Sequence, residues 1–166
     1  METYNYSFLI KFLYRYGNIF ITSLMILNLI PLVVYVDKNA YLIIPIIITL
    51  LIIYFTNKFY FLLYKTFPFT IKADEEKLIC TDFMFRKKEV VIYYNNIKSI
   101  SGGIFEGRLS GIMKVCDGKT NICIAFSHRI NNSTKLIATI LSKVDKKIYD
   151  EKIDSLQKIS SKLRKK

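Results

Sequence analysis

Acidic residues are scarce in this chain: 13 Asp and Glu stand against 25 Lys and Arg, a formal charge of +12 over 166 residues. There is one histidine, three cysteines and no tryptophan. Scarcest of all is charge of either sign between Ile19 and Phe55, where only Asp37 and Lys38 interrupt an apolar sequence. These shortages exclude several chemistries. The one histidine, in Ser127-His128-Arg129, has no neighbouring motif supplying an orienting carboxylate and a nucleophile, so it reads as a loop residue and not as a general base. Cys80, Cys116 and Cys123 are odd in number and lack the Cys-x-x-Cys spacing of a metal site. No P-loop, Gly-x-Ser-x-Gly, His-Glu-x-x-His or Gly-x-Gly-x-x-Gly pattern occurs, and Ser101-Gly102-Gly103 is too short to cradle phosphate. The expectation is a protein that is not an enzyme and needs no cofactor or metal.

What the chain does have is two long apolar runs. Ile19–Val36 (IFITSLMILNLIPLVVYV) holds 18 residues without a charge, about 27 Å as a helix against the ~30 Å of a hydrocarbon core. Ala40–Phe55 (AYLIIPIIITLLIIYF) is the second, extending toward residue 57 and on to Tyr64 if Lys58 snorkels along its own stem. Only Asp37-Lys38-Asn39 separates them, so the expectation is a transmembrane hairpin over 18–64 with a tight turn at 37–39. The turn carries one lysine, whereas Lys11, Arg15, Lys58, Lys65 and Lys72 flank the other ends. The positive-inside rule then places both termini in the cytoplasm of a multi-pass cell (inner) membrane protein. On that side the three cysteines are expected as free thiols.

Counting from Lys38 places hairpin residues by depth. Pro31 and Pro45 are each seven residues away, and Asn28, ten before, falls near Thr49 at mid-bilayer. An unpaired amide in lipid is costly, so Asn28 is expected to face Thr49 or another copy of the chain, or to bond its own helix backbone. Transport by this chain alone would call for an intramembrane Asp, Glu, His or Arg, and the runs hold none. Along residues 1–17 and into Asn18, Phe8, Leu9, Phe12, Leu13 and Tyr16 share one helical face, and Ser7, Lys11, Tyr14, Arg15 and Asn18 the other. Gly17-Asn18 then breaks the pattern. An amphipathic segment in the headgroup layer fits, as does an early start of the first span.

After Thr66 the period changes to that of strands. Phe67–Ala73, Leu78–Phe85 and Val90–Tyr94 alternate and are separated by Asp74-Glu75-Glu76-Lys77 and Arg86-Lys87-Lys88-Glu89. Ile97–Ile100, Ile104–Leu109, Gly111–Cys116 and Asn121–Phe126 continue the series. A turn centred on Gly118-Lys119 would set Val115 opposite Ile122 and Met113 opposite Ile124, burying those four with Phe126. Asn131-Asn132-Ser133 offers N-caps to a helix carrying Leu136, Ile137, Ile140, Leu141, Val144 and Ile148 on one stripe. A curved antiparallel sheet plugged by that helix follows over 65–148.

From Phe67 to Ile148 this order, through "IYYNNIKSI", "SGIMKVCDGKTNICIAF" and "INNSTKLIATIL", resembles the bacterial pleckstrin-homology-like (PH-like) domain. A two-span hairpin joined to one such domain is a recurring bacterial layout. The resemblance implies an α+β membrane protein: a transmembrane hairpin followed by a partly open antiparallel β-barrel, capped by a C-terminal helix. It also implies binding or scaffolding. Eukaryotic relatives grip phosphoinositides with basic residues around the first hairpin loop; here that loop is Asp74-Glu75-Glu76-Lys77, mostly acidic, which argues against such a grip.

Two basic clusters remain. Arg86, Lys87 and Lys88 suit contact with anionic headgroups or, equally, a solvated turn that blunts a sheet edge. Three charges without interleaved aromatics give no nucleic-acid signature. The tail 149–166 keeps an apolar stripe and ends in Lys162, Arg164, Lys165 and Lys166. It fits a prolonged capping helix, a membrane-surface helix, a helix paired with a partner, or a solvated end. The functional expectation is a membrane-anchored module that docks a protein partner or another copy of itself. The alternatives are a headgroup sensor and an accessory subunit of a transport or export assembly, its Asn28, Pro31, Pro45 and Thr49 packing inside the membrane.

Overall fold

The computed structural model describes residues 1–84, 88–106 and 111–164, and of residues 155 and 158–164 only the backbone. The fold is α+β, with two long apolar helices near the N-terminus and two antiparallel sheets, neither closed. It opens on a strand absent from the sequence reading, β1 (Glu2–Asn5), which pairs with β2 (Pro68–Ala73) in the register Glu2↔Ala73 to Asn5↔Thr70. The two helices, α1 (Phe8–Tyr35) and α2 (Ile43–Thr66), therefore lie between two neighbouring strands of one sheet. Two residues join β1 to α1, and one joins α2 to β2. The domain is not appended to the hairpin; the hairpin is inserted into the domain.

Both helices are long and apolar enough to cross a membrane. Between them, Asn39 Oδ1 accepts the Tyr41 N–H, capping a 3-10 turn at Ala40–Leu42 that leads into α2. α1 runs unbroken through Gly17-Asn18, so residues 8–17 are the start of the first long helix and not a separate segment. The apolar face of that start is exposed, as are Phe55, Phe59, Phe61 and Leu62 on α2. On its polar face Lys11, Tyr14 and Arg15 are half-buried and Asn18 is buried, with Lys11 and Arg15 turned toward the sheet.

β2, β3 (Lys77–Phe83) and β4 (Val90–Tyr93) complete the first sheet in the order β1-β2-β3-β4. β5 (Ile97–Gly102), β6 (Ile112–Asp117) and β7 (Cys123–Ser127) form the second. Alternate residues Phe67, Phe69, Ile71 and Ala73 are buried, and Leu78, Cys80, Ile92, Ile100, Met113, Val115, Ile124 and Phe126 meet them in a common core. At about 1.5–3 kcal/mol for each large side chain, this core is the main term holding the sheets together. A 3-10 turn, Gly103–Glu106, stands where the sequence suggests a strand over Ile104–Leu109; residues 107–110 of that stretch lie outside the described residues.

The β6–β7 hairpin differs from the expected one by two residues of register: Val115 pairs with Ile124 and Met113 with Phe126. Asp117 is the cause. Its Oδ1 accepts from the Lys119 and Thr120 N–H groups, and its own N–H donates to the Ile122 carbonyl, closing a wider loop. A shift of two preserves side-chain parity, so Met113, Val115, Ile124 and Phe126 are buried all the same, while Ile122 is half-buried. The new register also sets Cys116 opposite Cys123, Cα atoms 4.1 Å apart, and the two are disulfide-bonded. This corrects the expectation of three free thiols. Only Cys80 is free; it is buried, which pushes its thiol pKa up to about 12.

The helix after β7 is shorter than the apolar stripe implies. α3 (Ser133–Lys143) buries Leu136, Ile140 and Leu141 and ends where Val144 turns extended. Asp145 Oδ1 accepts the Lys147 N–H and starts a second helix, α4 (Lys146–Arg164). Ile148 thus belongs to α4, which folds back on β5 and the 3-10 turn with Ile148 and Leu156 half-buried against the core. Among the arrangements considered for the tail, its described part packs on the domain.

Candidate functional site

The root of the hairpin, where α1 and α2 enter the first sheet, gathers most of the polar and aromatic contacts between the two halves. Tyr6, Tyr14, Phe67 and Phe69 stack there with ring centroids 5.0 to 6.3 Å apart. The Tyr6 hydroxyl accepts the Ser127 N–H at 2.7 Å, and burial pushes the Tyr6 pKa upward. Asn131 N–H donates to the Asn5 carbonyl at 3.0 Å, so the N-terminal strand is pinned to both sheets. Lys11 and Arg15 reach Asp82 at the end of β3, at 3.4 and 3.1 Å, and the Arg15 guanidinium lies 5.2 Å from the Phe69 ring centre. Two of the basic residues that flank the apolar runs are therefore also struts between helix and sheet.

Just beyond the root, Asn18 donates to Asn57 Oδ1 at 2.9 Å, and Asn57 donates to Thr22 Oγ1 at 3.2 Å and to the Ile53 carbonyl at 2.9 Å. Asn18 is buried and opens a stripe of half-buried Thr22, Met25, Leu29 and Leu32 that faces α2. The sequence reading missed this pair, though its own arithmetic could have found it. Asn18 lies 38 − 18 = 20 residues before Lys38 and Asn57 lies 57 − 38 = 19 after it, at matching depth.

The same arithmetic matched Asn28 with Thr49, and here the structure differs. Thr49 donates to the Pro45 carbonyl at 2.8 Å, and both residues are half-buried. Asn28 and Pro31 are exposed on another side of α1, and Asn28 Nδ2 donates to the Leu24 carbonyl at 3.0 Å. Depth is shared, but azimuth is not. Asn28 falls on the exposed line Ile21, Leu24, Asn28, Pro31, Tyr35, one residue out of step with the stripe that meets α2.

Lys88 is exposed just before β4, whereas Arg86, Lys87, Lys165, Lys166 and the side chains of Lys162 and Arg164 lie outside the described residues. In the acidic loop the Asp74 carbonyl accepts from Lys143 Nζ at 2.8 Å and the Tyr94 hydroxyl at 3.3 Å, tying the β2–β3 loop to α3. Burial pushes Tyr94 up to about 12. Among the described residues no three His, Cys, Asp or Glu side chains gather as a metal site would need. No family model, curated protein or solved structure matches the chain.

Proposed function

We propose that this is a non-enzymatic, membrane-anchored docking module in which copies of the chain associate through α1. The observation that carries this reading is Asn28. One amide proton is used within the helix; the Oδ1 and the second proton have no partner among the described residues, on a surface built mainly of aliphatic side chains. Three residues on, Pro31 has no N–H to give the Leu27 carbonyl. In hydrocarbon each such group seeks a partner. A second copy inserted in the same direction presents its own Asn28 at the same depth, so amide meets amide across a two-fold axis. The line Ile21, Leu24, Asn28, Pro31, Tyr35 has the 3-4-3-4 spacing of a helix-pairing seam, where one polar residue sets register.

Förster transfer between labelled full-length chains in detergent micelles tests this. Asn28→Leu should weaken self-association about 5- to 30-fold, from the ~1–2 kcal/mol of an interhelical amide bond, and Asn28→Gln should restore much of it. Monomers at every concentration, or a different protein recovered in stoichiometric amount from native membranes, would sink the homotypic reading. The second of these would favour an accessory subunit.

The domain itself we read as PH-like. Seven strands in a four-plus-three arrangement, followed by a helix, support that reading, with the hairpin inserted after the first strand. We place the domain and both termini in the cytoplasm because Lys38 is the lone basic residue at the turn. The Cys116–Cys123 disulfide runs against that placement, since cytoplasmic thiols are kept reduced, so labelling at a separate position tests it. A membrane-impermeant maleimide should label Lys38→Cys in intact cells, and Lys88→Cys, exposed just before β4, only after lysis. Labelling of Lys88→Cys in intact cells would put the domain on the oxidising side.

A further inference from the structure

A crevice of about 280 Å³ lies where the root of the hairpin faces the second sheet, between Tyr14 and Tyr60 of the helices and Ser127, His128 and Arg129 at the end of β7. Its lining is half polar, unlike the rest of the hairpin surface. Arg129 is exposed and has no acidic partner among the described residues. His128 Nδ1 accepts the Gly111 N–H at 3.4 Å, which places the neutral ring's proton on Nε2 and leaves that nitrogen as a donor. The Tyr14 and Tyr60 hydroxyls make no hydrogen bond within the described residues. The crevice thus offers a guanidinium, an imidazole N–H and two phenols, all donors, which is the complement of a phosphate.

Leu13 lines this crevice and also a second, almost wholly apolar groove of about 570 Å³ along α1, formed by Phe12, Tyr16, Gly17 and Phe20. Gly17 lines the groove beside Leu13. A Cβ there would stand 3.6 Å from Leu13 Cδ1 and 3.8 Å from the Tyr60 hydroxyl. A donor-rich pocket that shares Leu13 with an apolar groove fits one kind of ligand, in which a phosphate is joined to an acyl chain.

We infer that the crevice and groove together bind one anionic glycerophospholipid, its phosphate against Arg129, His128 and Tyr60 and an acyl chain along Leu13 and Phe20. The inference rests on the hairpin lying in a bilayer, which partition of the chain into a detergent phase checks on its own. It does not depend on pairing through Asn28, and it uses none of the basic residues of the β3–β4 turn.

The test is full-length protein in nanodiscs of phosphatidylcholine, titrated with phosphatidylglycerol and read by native mass spectrometry. One retained phosphatidylglycerol per chain is expected. Arg129→Gln should weaken its binding at least about tenfold and Tyr60→Phe about threefold, with melting temperatures unchanged because Arg129 is exposed. Lys72→Gln removes the same charge from β2, outside the crevice, and should leave binding within about twofold of the parent. Equal losses for Lys72→Gln and Arg129→Gln would overturn the site in favour of diffuse surface attraction. Equal retention of phosphatidylcholine would overturn the anionic requirement. Binding of soluble glycerol phosphate as tightly as of the lipid would overturn the acyl groove.

Discussion

A chain beginning at Thr66 should fail to fold as the domain does in the full-length protein. It would keep β2 to β7 and both C-terminal helices yet lack β1, leaving the whole of β2 as an unpaired edge. It would also lose Tyr4 and Tyr6, which are 2% and 4% exposed, from the core. Truncating a buried aromatic costs about 3–5 kcal/mol, and two such losses approach the ~5–15 kcal/mol that holds a domain together. Tyr6 carries a further role, because without its hydroxyl the buried Ser127 N–H has no acceptor. The positive counterpart is residues 1–6 joined to 67–164 by a short Gly-Ser linker. The linker need only be short, since Asn5 pairs with Thr70 and residues 6 and 67 therefore lie at the same end of the β1–β2 ladder. This joined chain should melt cooperatively in detergent-free buffer, by circular dichroism, where the 66–166 fragment should show no cooperative transition. A fragment that melts like the joined chain would show that β1 is dispensable.

The second large effect is expected from a single methyl group. Gly102 closes β5 with φ of +79° and pairs with Met113 of β6. A Cβ built there stands 2.3 Å from the Ile112 carbonyl oxygen, a backbone atom of the paired strand that cannot retreat without breaking the pairing. Left-handed strain alone costs about 1–3 kcal/mol, and the clash adds to it. Gly102→Ala should therefore destabilise the protein by about 3 kcal/mol or more, near the upper end for point substitutions. Gly17→Ala is the matched control. It sits inside α1 with ordinary van der Waals space around the new methyl, so the change should stay within about 1 kcal/mol and favour the helix. Urea titration of both variants in the same detergent separates the cases. A Gly102→Ala protein as stable as the parent would contradict the close approach of β5 to β6.

Several features were legible in the sequence because they rest on local repetition. The apolar runs and the three polar residues between them mark two helices and a turn, since nothing but burial or lipid can accommodate that much uncharged surface. The two-residue alternation after Thr66 marks the strands and assigns faces. Those faces survived a two-residue error in the β6–β7 register because parity, not pairing, decides which side chains are buried. The polar face of residues 7–18 was also visible, although its destination was not: Lys11 and Arg15 meet Asp82, and Asn18 meets Asn57.

What tertiary structure alone decided involves partners far apart in the chain. Glu-Thr-Tyr-Asn at positions 2–5 is too short to show a period, and it becomes a strand because β2, more than sixty residues on, offers an edge and a pocket for Tyr4. The disulfide follows from a register that Asp117 sets by capping its loop. Asn28 was matched with Thr49 by depth, yet about 100° of helical rotation per residue separates it from the face that meets α2. Periodicity along a chain says which side of an element is apolar. Which element covers that side is a property of the packed whole, where strands and helices compete for the same surface, and only the fold resolves that competition.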